Sequence, residues 1–165
     1  MYTLSTYAVL DHKTWVEAPL DRPSTTTEIP RMTSVKSEAE FHKAQGHEPG
    51  MQGQAVTHLT WSHPTTEMVG RPSVFTGQTL FVGQIGRRTG TLTLSCTGTY
   101  TPKTGNLKAD LEVLWGTGDL EGAKGDGGWE RLAGPPDAGT SWLDLASHAK
   151  LITGAEVVLD LEFLN

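Results

Sequence analysis

The sequence predicts an all-β protein, a single antiparallel β-barrel of about eight strands with one short helix in the C-terminal region. Apolar and polar residues alternate with a period of two over several long stretches, which is typical of strands with one buried face. The chain contains 19 Gly and is rich in Thr, a composition that suits strands and tight turns better than long helices. Its 165 residues fit one domain, which we expect to span residues 1–165.

The clearest alternation lies at residues 91–100, where apolar side chains take one face and Thr or Ser takes most of the other. Residues 107–115 and 156–164 repeat the pattern, with charged side chains on the polar face. Turn sequences rich in Gly and Pro separate the segments, and a short helix is predicted after Ser141, which can cap it. Further strands are predicted at residues 2–17, 31–41, 52–63, 73–85 and 128–132.

Strands with one apolar face need a shared core, which a sheet obtains by closing on itself or by stacking on another sheet. A closed barrel of about eight strands encloses just enough space for one small ligand. Aromatic residues recur at strand positions and are large enough to line such a cavity. These residues are Trp15, Trp61, Phe75, Phe81, Tyr100, Trp115, Trp129 and Phe163.

The formal net charge of −6, from 13 Lys and Arg against 19 Asp and Glu, disfavours nucleic acid and anionic membrane surfaces as partners. The single cysteine, Cys96, cannot form an internal disulfide, which favours a reducing compartment. The first residues do not resemble a signal peptide, and no apolar run approaches about 20 residues. We therefore expect a cytoplasmic protein with no nucleic-acid partner and no membrane partner.

Several segments together resemble a bacterial protein family of unknown function. The segments are Phe75-Thr-Gly-Gln-Thr-Leu-Phe81 with Gly83, Arg88-Thr-Gly-Thr-Leu, Cys96-Thr-Gly-Thr-Tyr100, the glycine-rich stretch 116–129, and Thr14-Trp-Val-Glu17, which is similar to the family's N-terminal Trp-Asp-Glu element. The likeness extends over roughly residues 8–163. Members of this family fold as small barrels similar to allene oxide cyclase, so the resemblance implies that fold.

The chain departs from the family pattern at several ionisable positions. His58 stands where the family has Glu, Thr79-Leu80 where it has Glu-Arg, Cys96 where it has His, and Val16 where it has Asp. If these positions face the lumen, the interior is drier than in the family and suits an apolar ligand. The resemblance thus implies the family's fold without an ionic site.

No standard motif for nucleophilic, metal or phosphate chemistry is complete. A Gly-x-Ser-x-Gly elbow is missing, and the glycine-rich stretch 116–128 lacks the Gly-Lys-Ser/Thr of a phosphate loop, so we interpret it as a tight turn. His58 and His63 are five residues apart in a strand and point to opposite faces, and no other histidine has metal-site spacing. Cys96 has no nearby base and is interpreted as a core thiol. We therefore predict neither a metal nor a cofactor.

The leading hypothesis is a cofactor-independent cyclase or isomerase of natural-product biosynthesis. A barrel that holds a largely apolar, polyketide- or polyene-like intermediate in a reactive geometry lowers the barrier to ring closure, for example a Diels–Alder-type cycloaddition. The candidate catalytic residues are Tyr100, His58 and Glu17, acting as hydrogen-bond donors or acid–base groups. The candidate substrate-binding residues are Trp15, Trp61, Phe75, Thr79, Phe81, Leu94, Cys96 and Trp115.

Two alternatives from other classes stay open. The same lumen suits a non-catalytic carrier of a small apolar molecule, which needs no polar group aimed at reacting atoms. A barrel filled by side chains indicates instead a structural or partner-binding module. A homodimer is also predicted, because apolar residues lie on outward faces of the predicted strands; these are Val74, Leu80, Val82, Leu114, Val158 and Leu164.

Overall fold

The computed structural model describes residues 1–132 and 154–164, and the regular structure in these ranges is all β-strand. None of it is a helix long and apolar enough to cross a membrane. The short helix predicted after Ser141 lies outside the described residues. The strands are β1 (Tyr2–His12), β2 (Val16–Pro19), β3 (Arg31–Lys43), β4 (Met51–His63), β5 (Ser73–Ile85), β6 (Arg88–Thr101), β7 (Asn106–Gly118), β8 (Lys124–Leu132) and β9 (Ala155–Phe163).

The strands form one antiparallel sheet in the order β1-β9-β8-β7-β6-β5-β4-β3-β2, and this sheet closes on itself. Closure results from the pairing of β1 with β3, which aligns Ala8 with Lys43 and His12 with Ala39. Eight strands therefore make up the barrel, and β2 is an additional strand that pairs with β3 beside β1. The prediction of a closed antiparallel barrel of about eight strands is confirmed.

The strand predicted at residues 2–17 is interrupted, which corrects that prediction. β1 and β2 lie along the same edge of β3, where His12 pairs with Ala39 and Val16 pairs with Lys36. Four steps along the first segment, from 12 to 16, therefore match three steps along β3, from 39 to 36. One residue between β1 and β2 is extra.

A β-bulge accommodates the extra residue. The backbone N–H groups of Lys13 and Thr14 both donate to the carbonyl oxygen of Glu38, at 2.7 and 3.2 Å. The Thr14 hydroxyl in turn accepts the Glu38 N–H at 3.0 Å. Because a bulge shifts the alternation of side chains by one residue, even-numbered side chains face the interior in β1, whereas Trp15 and Glu17 face it afterwards.

A second bulge lies in β7 and has the opposite effect. Leu94 pairs with Val113 and Thr93 pairs with Trp115, so Leu114 is the extra residue. Val113 still faces the interior, but the Trp115 side chain is turned outward and is 59% exposed. The prediction that Trp115 lines the lumen is therefore wrong.

The glycine-rich stretch 116–128 is a turn only in its centre. Its first residues end β7, and β8 begins at Lys124. Gly118 and Gly122 have the positive φ angles expected of a tight turn, 65° and 78°. Gly127 is already within β8, where a Cβ atom would lie 2.0 Å from the carbonyl oxygen of Val158. This glycine therefore permits close packing of the strands rather than a turn.

The two ends of the barrel interior differ in polarity. The apolar end, where β5 ends and β6 begins, is filled by fully buried side chains, namely Met51, Phe81, Ile85, Leu92 and Leu120. The opposite end, called the polar end below, is where β1 and β4 end and β5 begins. Its interior side chains include His12, Glu17, Thr33, His63 and Ser73. The candidate site is therefore sought at the polar end.

The six outward apolar residues behind the dimer prediction are 39–72% exposed in the single chain. Their predicted outward orientation is thus observed on the barrel surface. The dimer itself stays a prediction.

Substitution of Gly98 tests how the barrel is packed. A Cβ atom at this position would lie 2.0 Å from the Lys108 carbonyl oxygen and 2.4 Å from Cζ of Phe75. We expect Gly98→Ala to lower the free energy of unfolding, measured by urea denaturation, by about 3 kcal/mol because of this overpacking. The outward neighbour supplies the control: Thr97→Val should change it by less than about 0.5 kcal/mol. Equal effects of the two substitutions would contradict the packing described.

Candidate functional site

A chain of hydrogen-bonded side chains at the polar end connects β2, β3, β4 and β5. Glu17 Oε2 accepts a hydrogen bond from Thr33 Oγ1 at 2.6 Å and lies 2.9 Å from His63 Nε2. On the other side of the imidazole, His63 Nδ1 lies 2.9 Å from Ser73 Oγ. Because a carboxylate only accepts, His63 Nε2 carries a proton, and in the neutral ring Nδ1 accepts the Ser73 hydroxyl.

This chain is almost completely removed from solvent. The side chains of Glu17 and His63 are each 1% exposed, and Ser73 is 0% exposed. Burying a carboxylate and an imidazole costs desolvation energy. Proteins in which such a pair is replaced by apolar side chains are often at least as stable. A buried pair of ionisable side chains joined by a hydrogen bond therefore calls for a reason other than stability. The interior therefore holds a buried pair of ionisable side chains beside its apolar residues, and this chain is the candidate site.

Local strand geometry places each member of the chain. The bulge before β2 turns Glu17 inward, where it faces the same side as its pairing partner Val35. Odd-numbered residues of β4 face the interior, which includes His63 at the end of that strand. Ser62 pairs with Val74, so His63 and Ser73 lie directly opposite one another at the end of the β4–β5 hairpin.

Five aromatic side chains form a closed circuit of ring contacts beside this chain; they are called the aromatic cluster below. In order around the circuit they are His12, Trp15, Trp61, Phe75 and Trp129. Successive ring centroids are 5.5, 5.8, 4.7, 6.3 and 5.8 Å apart. Trp61 also stacks on the His63 ring with a centroid distance of 5.5 Å. The acid–base pair therefore has aromatic surroundings, which strengthen its hydrogen bonds relative to water.

The structure brings two of the three predicted catalytic residues to the polar end. Glu17 is part of the hydrogen-bonded chain, and Tyr100 pairs directly with Ser73 across β5 and β6. Burial raises the pKa of the Tyr100 phenol, so the group keeps its proton at neutral pH. His58 is an exposed residue on the outer face of β4, so its prediction as a lumen residue is wrong.

Most predicted substrate-binding residues lie in the barrel interior. Trp15, Trp61, Phe75, Thr79, Phe81, Leu94 and Cys96 are all buried there, and Trp115 is the exception. Several of them are engaged with each other or with neighbours: Phe81 packs edge-on against Phe41, with centroids 5.3 Å apart, and Thr79 Oγ1 lies 2.8 Å from Thr57 Oγ1. Their contact with a ligand stays a prediction.

His63, Ser73 and Thr33 are functional candidates that the sequence analysis did not select. The signal for His63 was present, since it shares the strand face of Trp61 and lies on the opposite face from His58. Ser73 and Thr33 carry no comparable signal, because Ser and Thr are common on both faces of these strands. Only the register of β3, β4 and β5 joins them to the histidine.

No cluster of three or more His, Cys, Asp or Glu side chains arranged to hold a metal ion occurs among the described residues. At the polar end, the side chains able to hydrogen-bond or transfer a proton include Glu17, His63 and Tyr100.

The comparisons with known proteins locate the fold but not the activity. No protein-family model and no curated protein matches this chain. The chain is similar to the crystal structure of a protein of unknown function from the DUF3224 family of Shewanella oneidensis, with a TM-score of 0.63 over 99% of this chain and 100% of that one. The two sequences are 14% identical, which shows a shared fold alone. This neighbour agrees with the resemblance to a family of unknown function.

Cys96 offers a direct test of the interior as a dry environment. Burial is the main reason that the pKa of its thiol is raised to about 12, opposed by a hydrogen bond with Thr79. Because only the thiolate attacks electrophiles, we expect no labelling of the native protein by iodoacetamide at pH 8. The same protein in 6 M guanidinium should label fully, which serves as the control. Rapid labelling of the native chain would show that the thiol is accessible and ionised.

His12 makes folding depend on pH. Its Nδ1 lies 2.5 Å from Ser37 Oγ, and burial lowers the pKa of the ring to about 4 despite the opposing charge of Asp11. The unfolded chain binds this proton near the ordinary value of 6.5. The contribution of His12 to the free energy of unfolding is therefore fully present above pH 6.5. It is lost as the pH falls toward 4.

We expect this loss to reach about 3 kcal/mol between pH 6.5 and 4. Urea denaturation of the wild type and of His12→Gln at a series of pH values measures it, and the stability difference between the two proteins should narrow as the pH falls. His58→Gln, which removes an exposed histidine, should keep the wild-type dependence. A His12→Gln variant that also kept this dependence would contradict the assignment.

Proposed function

We propose that the protein is a cofactor-independent isomerase or cyclase that uses Glu17 and His63 as an acid–base pair. Its substrate is a largely apolar, polyketide- or polyene-like intermediate held against the aromatic cluster at the polar end. The observation that carries the proposal is the buried chain Glu17–His63–Ser73 inside aromatic surroundings. The resemblance of the sequence to a family with allene-oxide-cyclase-like barrels supports a cyclase or isomerase.

In the proposed mechanism, Glu17 removes a proton from a carbon next to a substrate carbonyl. The electron pair of the broken C–H bond moves into the carbonyl to form an enolate, whose oxygen accepts a hydrogen bond from Tyr100. The enolate then takes the proton back at another carbon, or attacks an electrophilic carbon of the same chain before reprotonation. The sum is an isomerisation or a ring closure without any oxidant or reductant.

The hydrogen bonds around Glu17 suit this task. Thr33 and His63 both contact Oε2 and hold the carboxylate in one orientation. The other oxygen, Oε1, has no hydrogen-bond partner within the described residues. Oε1 is therefore the atom available for the proton, and the His63 N–H at Oε2 stabilises the carboxylate between proton transfers.

The orientation of His63 favours proton transfer over nucleophilic catalysis by Ser73. In nucleophilic triads the serine bonds Nε2 and the carboxylate bonds Nδ1. Here Ser73 contacts Nδ1 and Glu17 contacts Nε2. Because Ser73 is also completely buried, we assign it the role of positioning the imidazole.

A surface groove adjoins the proposed site. It has a volume of about 360 Å³ and lies at the start of β3 beside β2. Its lining includes the buried Thr33, whose hydroxyl donates to Glu17, the apolar Leu20 and Met32, and the charged Asp21, Arg22 and Arg31. Thr33 separates this groove from the acid–base pair, whose two side chains are each 1% exposed.

Glu17→Gln tests the proposal, because it keeps the shape of the side chain and removes the base. The assay incubates the protein with a linear conjugated polyenone and follows the absorbance change as conjugation is altered. We expect the rate to fall about 100-fold or more in this variant, in line with the usual contribution of a general base. Glu112→Gln, an exposed carboxylate on the outer face of β7, should have the wild-type rate.

Two outcomes would contradict the proposed enzymatic activity. Wild-type protein that binds the polyenone tightly while the absorbance stays unchanged would favour the carrier alternative. Equal rates in the wild type and Glu17→Gln would show that Glu17 is not the base.

A further inference from the structure

Three polar atoms at the polar end are buried without a hydrogen-bond partner in the part of the chain that the structure describes. They are His12 Nε2, Trp15 Nε1 and Glu17 Oε1. Each side chain is more than nine-tenths buried. Buried polar atoms in folded proteins nearly always have a partner, so three of them within one short segment indicate that a polar group is bound there.

The bulge at Lys13 and Thr14 brings these three side chains to one face. Without the extra residue, the alternation that turns His12 inward would turn Trp15 and Glu17 outward. Trp15 and Glu17 are two residues apart in extended chain, which separates their Cα atoms by about 7 Å. The ring centroids of His12 and Trp15 are 5.5 Å apart. The three side chains are therefore close neighbours on the inner face.

The chemistry of the atoms defines what a bound polar group offers. An indole N–H only donates, so Trp15 requires an acceptor. A carboxylate oxygen only accepts, so Glu17 Oε1 requires a donor. The negative charge of Glu17 repels an anion, and His12 adds no compensating charge near pH 7, because burial lowers the pKa of its ring to about 4.

We infer that His12, Trp15 and Glu17 recognise a neutral head group in which a hydrogen-bond acceptor lies next to a donor, carried on an apolar, planar body. A carboxamide or the enol form of a dicarbonyl has this character, whereas a carboxylate does not. The inference goes beyond the proposed function: it stands on the three unpartnered atoms and does not require the molecule recognised to be the substrate from whose carbon Oε1 takes a proton. The aromatic cluster supplies the surface for its apolar body.

The experiment compares three probes that share one aromatic body: 2-naphthamide, 2-naphthoate and 2-methylnaphthalene. Their affinities for the full chain are measured at pH 7 by isothermal titration calorimetry. We expect 2-naphthamide to bind at least 10-fold more tightly than either of the others. In the NMR spectrum of the wild type, the Trp15 indole N–H resonance should shift downfield with 2-naphthamide and not with 2-methylnaphthalene.

Variants test the individual contacts. Trp15→Phe keeps an aromatic ring without the N–H. It should weaken the binding of 2-naphthamide at least 10-fold and leave the binding of 2-methylnaphthalene unchanged. Trp115→Phe is the matched control, because that tryptophan lies on the outer face, and it should bind all three probes as the wild type does. Glu17→Gln removes the negative charge, so this variant should bind 2-naphthoate about as tightly as 2-naphthamide.

The inference is overturned if 2-naphthoate or 2-methylnaphthalene binds as tightly as 2-naphthamide. It is also overturned if none of the three probes binds. The probe comparison and the NMR shift are measured on the wild type, so they decide the question even if a variant does not fold. These probes do not react. A failure of the polyenone assay would therefore contradict the proposed enzymatic activity without contradicting the proposed recognition site.

Discussion

The candidate site depends on a single extra residue between β1 and β2. The N–H groups of Lys13 and Thr14 share the carbonyl oxygen of Glu38, and this bulge reverses the side-chain alternation along the edge of β3. As a result, Glu17 enters the interior on an otherwise exposed strand and reaches His63. The same shift places Trp15 beside His12, so the inward positions of Glu17 and Trp15 both follow from one local irregularity.

Packing then holds this site in place. The barrel is narrow, and large rings fit inside it only where neighbouring strands carry small residues. Phe75 lies over Gly98, where even a Cβ atom would collide with the ring, and from there it reaches Trp129 to complete the aromatic cluster. Because Trp61 stacks on both Phe75 and His63, the same packing that fills the barrel also fixes the plane of the imidazole. A proton-transfer group held in this way needs little reorganisation when it reacts.

The candidate site was predicted only in part, and each error has a physical origin. Glu17 and Tyr100 were selected through a family resemblance and do lie at one end of the barrel, but His58 was selected in place of His63. The two histidines lie on opposite faces of β4. The sequence pattern of this strand does not show which of its faces points into the barrel. The site also combines charge with burial, whereas the substitutions relative to the family pattern had indicated a purely apolar lumen. Ser73 and Thr33 joined the site only through the pairing register.

The sequence by itself determined the all-β class and most strand positions, because these depend on alternation and turn chemistry that are local along the chain. The closed barrel was expected from the family resemblance, since closure depends on the distant pairing of β1 with β3. Tertiary structure decided which face of each strand is inside wherever a bulge intervenes. The bulge at Lys13 and Thr14 turned Glu17 inward, and the bulge at Leu114 turned Trp115 outward. A bulge forms where one of two paired strands has an extra residue and the pairing continues in register on both sides of it. The extra residue is defined only by that pairing, so it cannot be located from one strand alone.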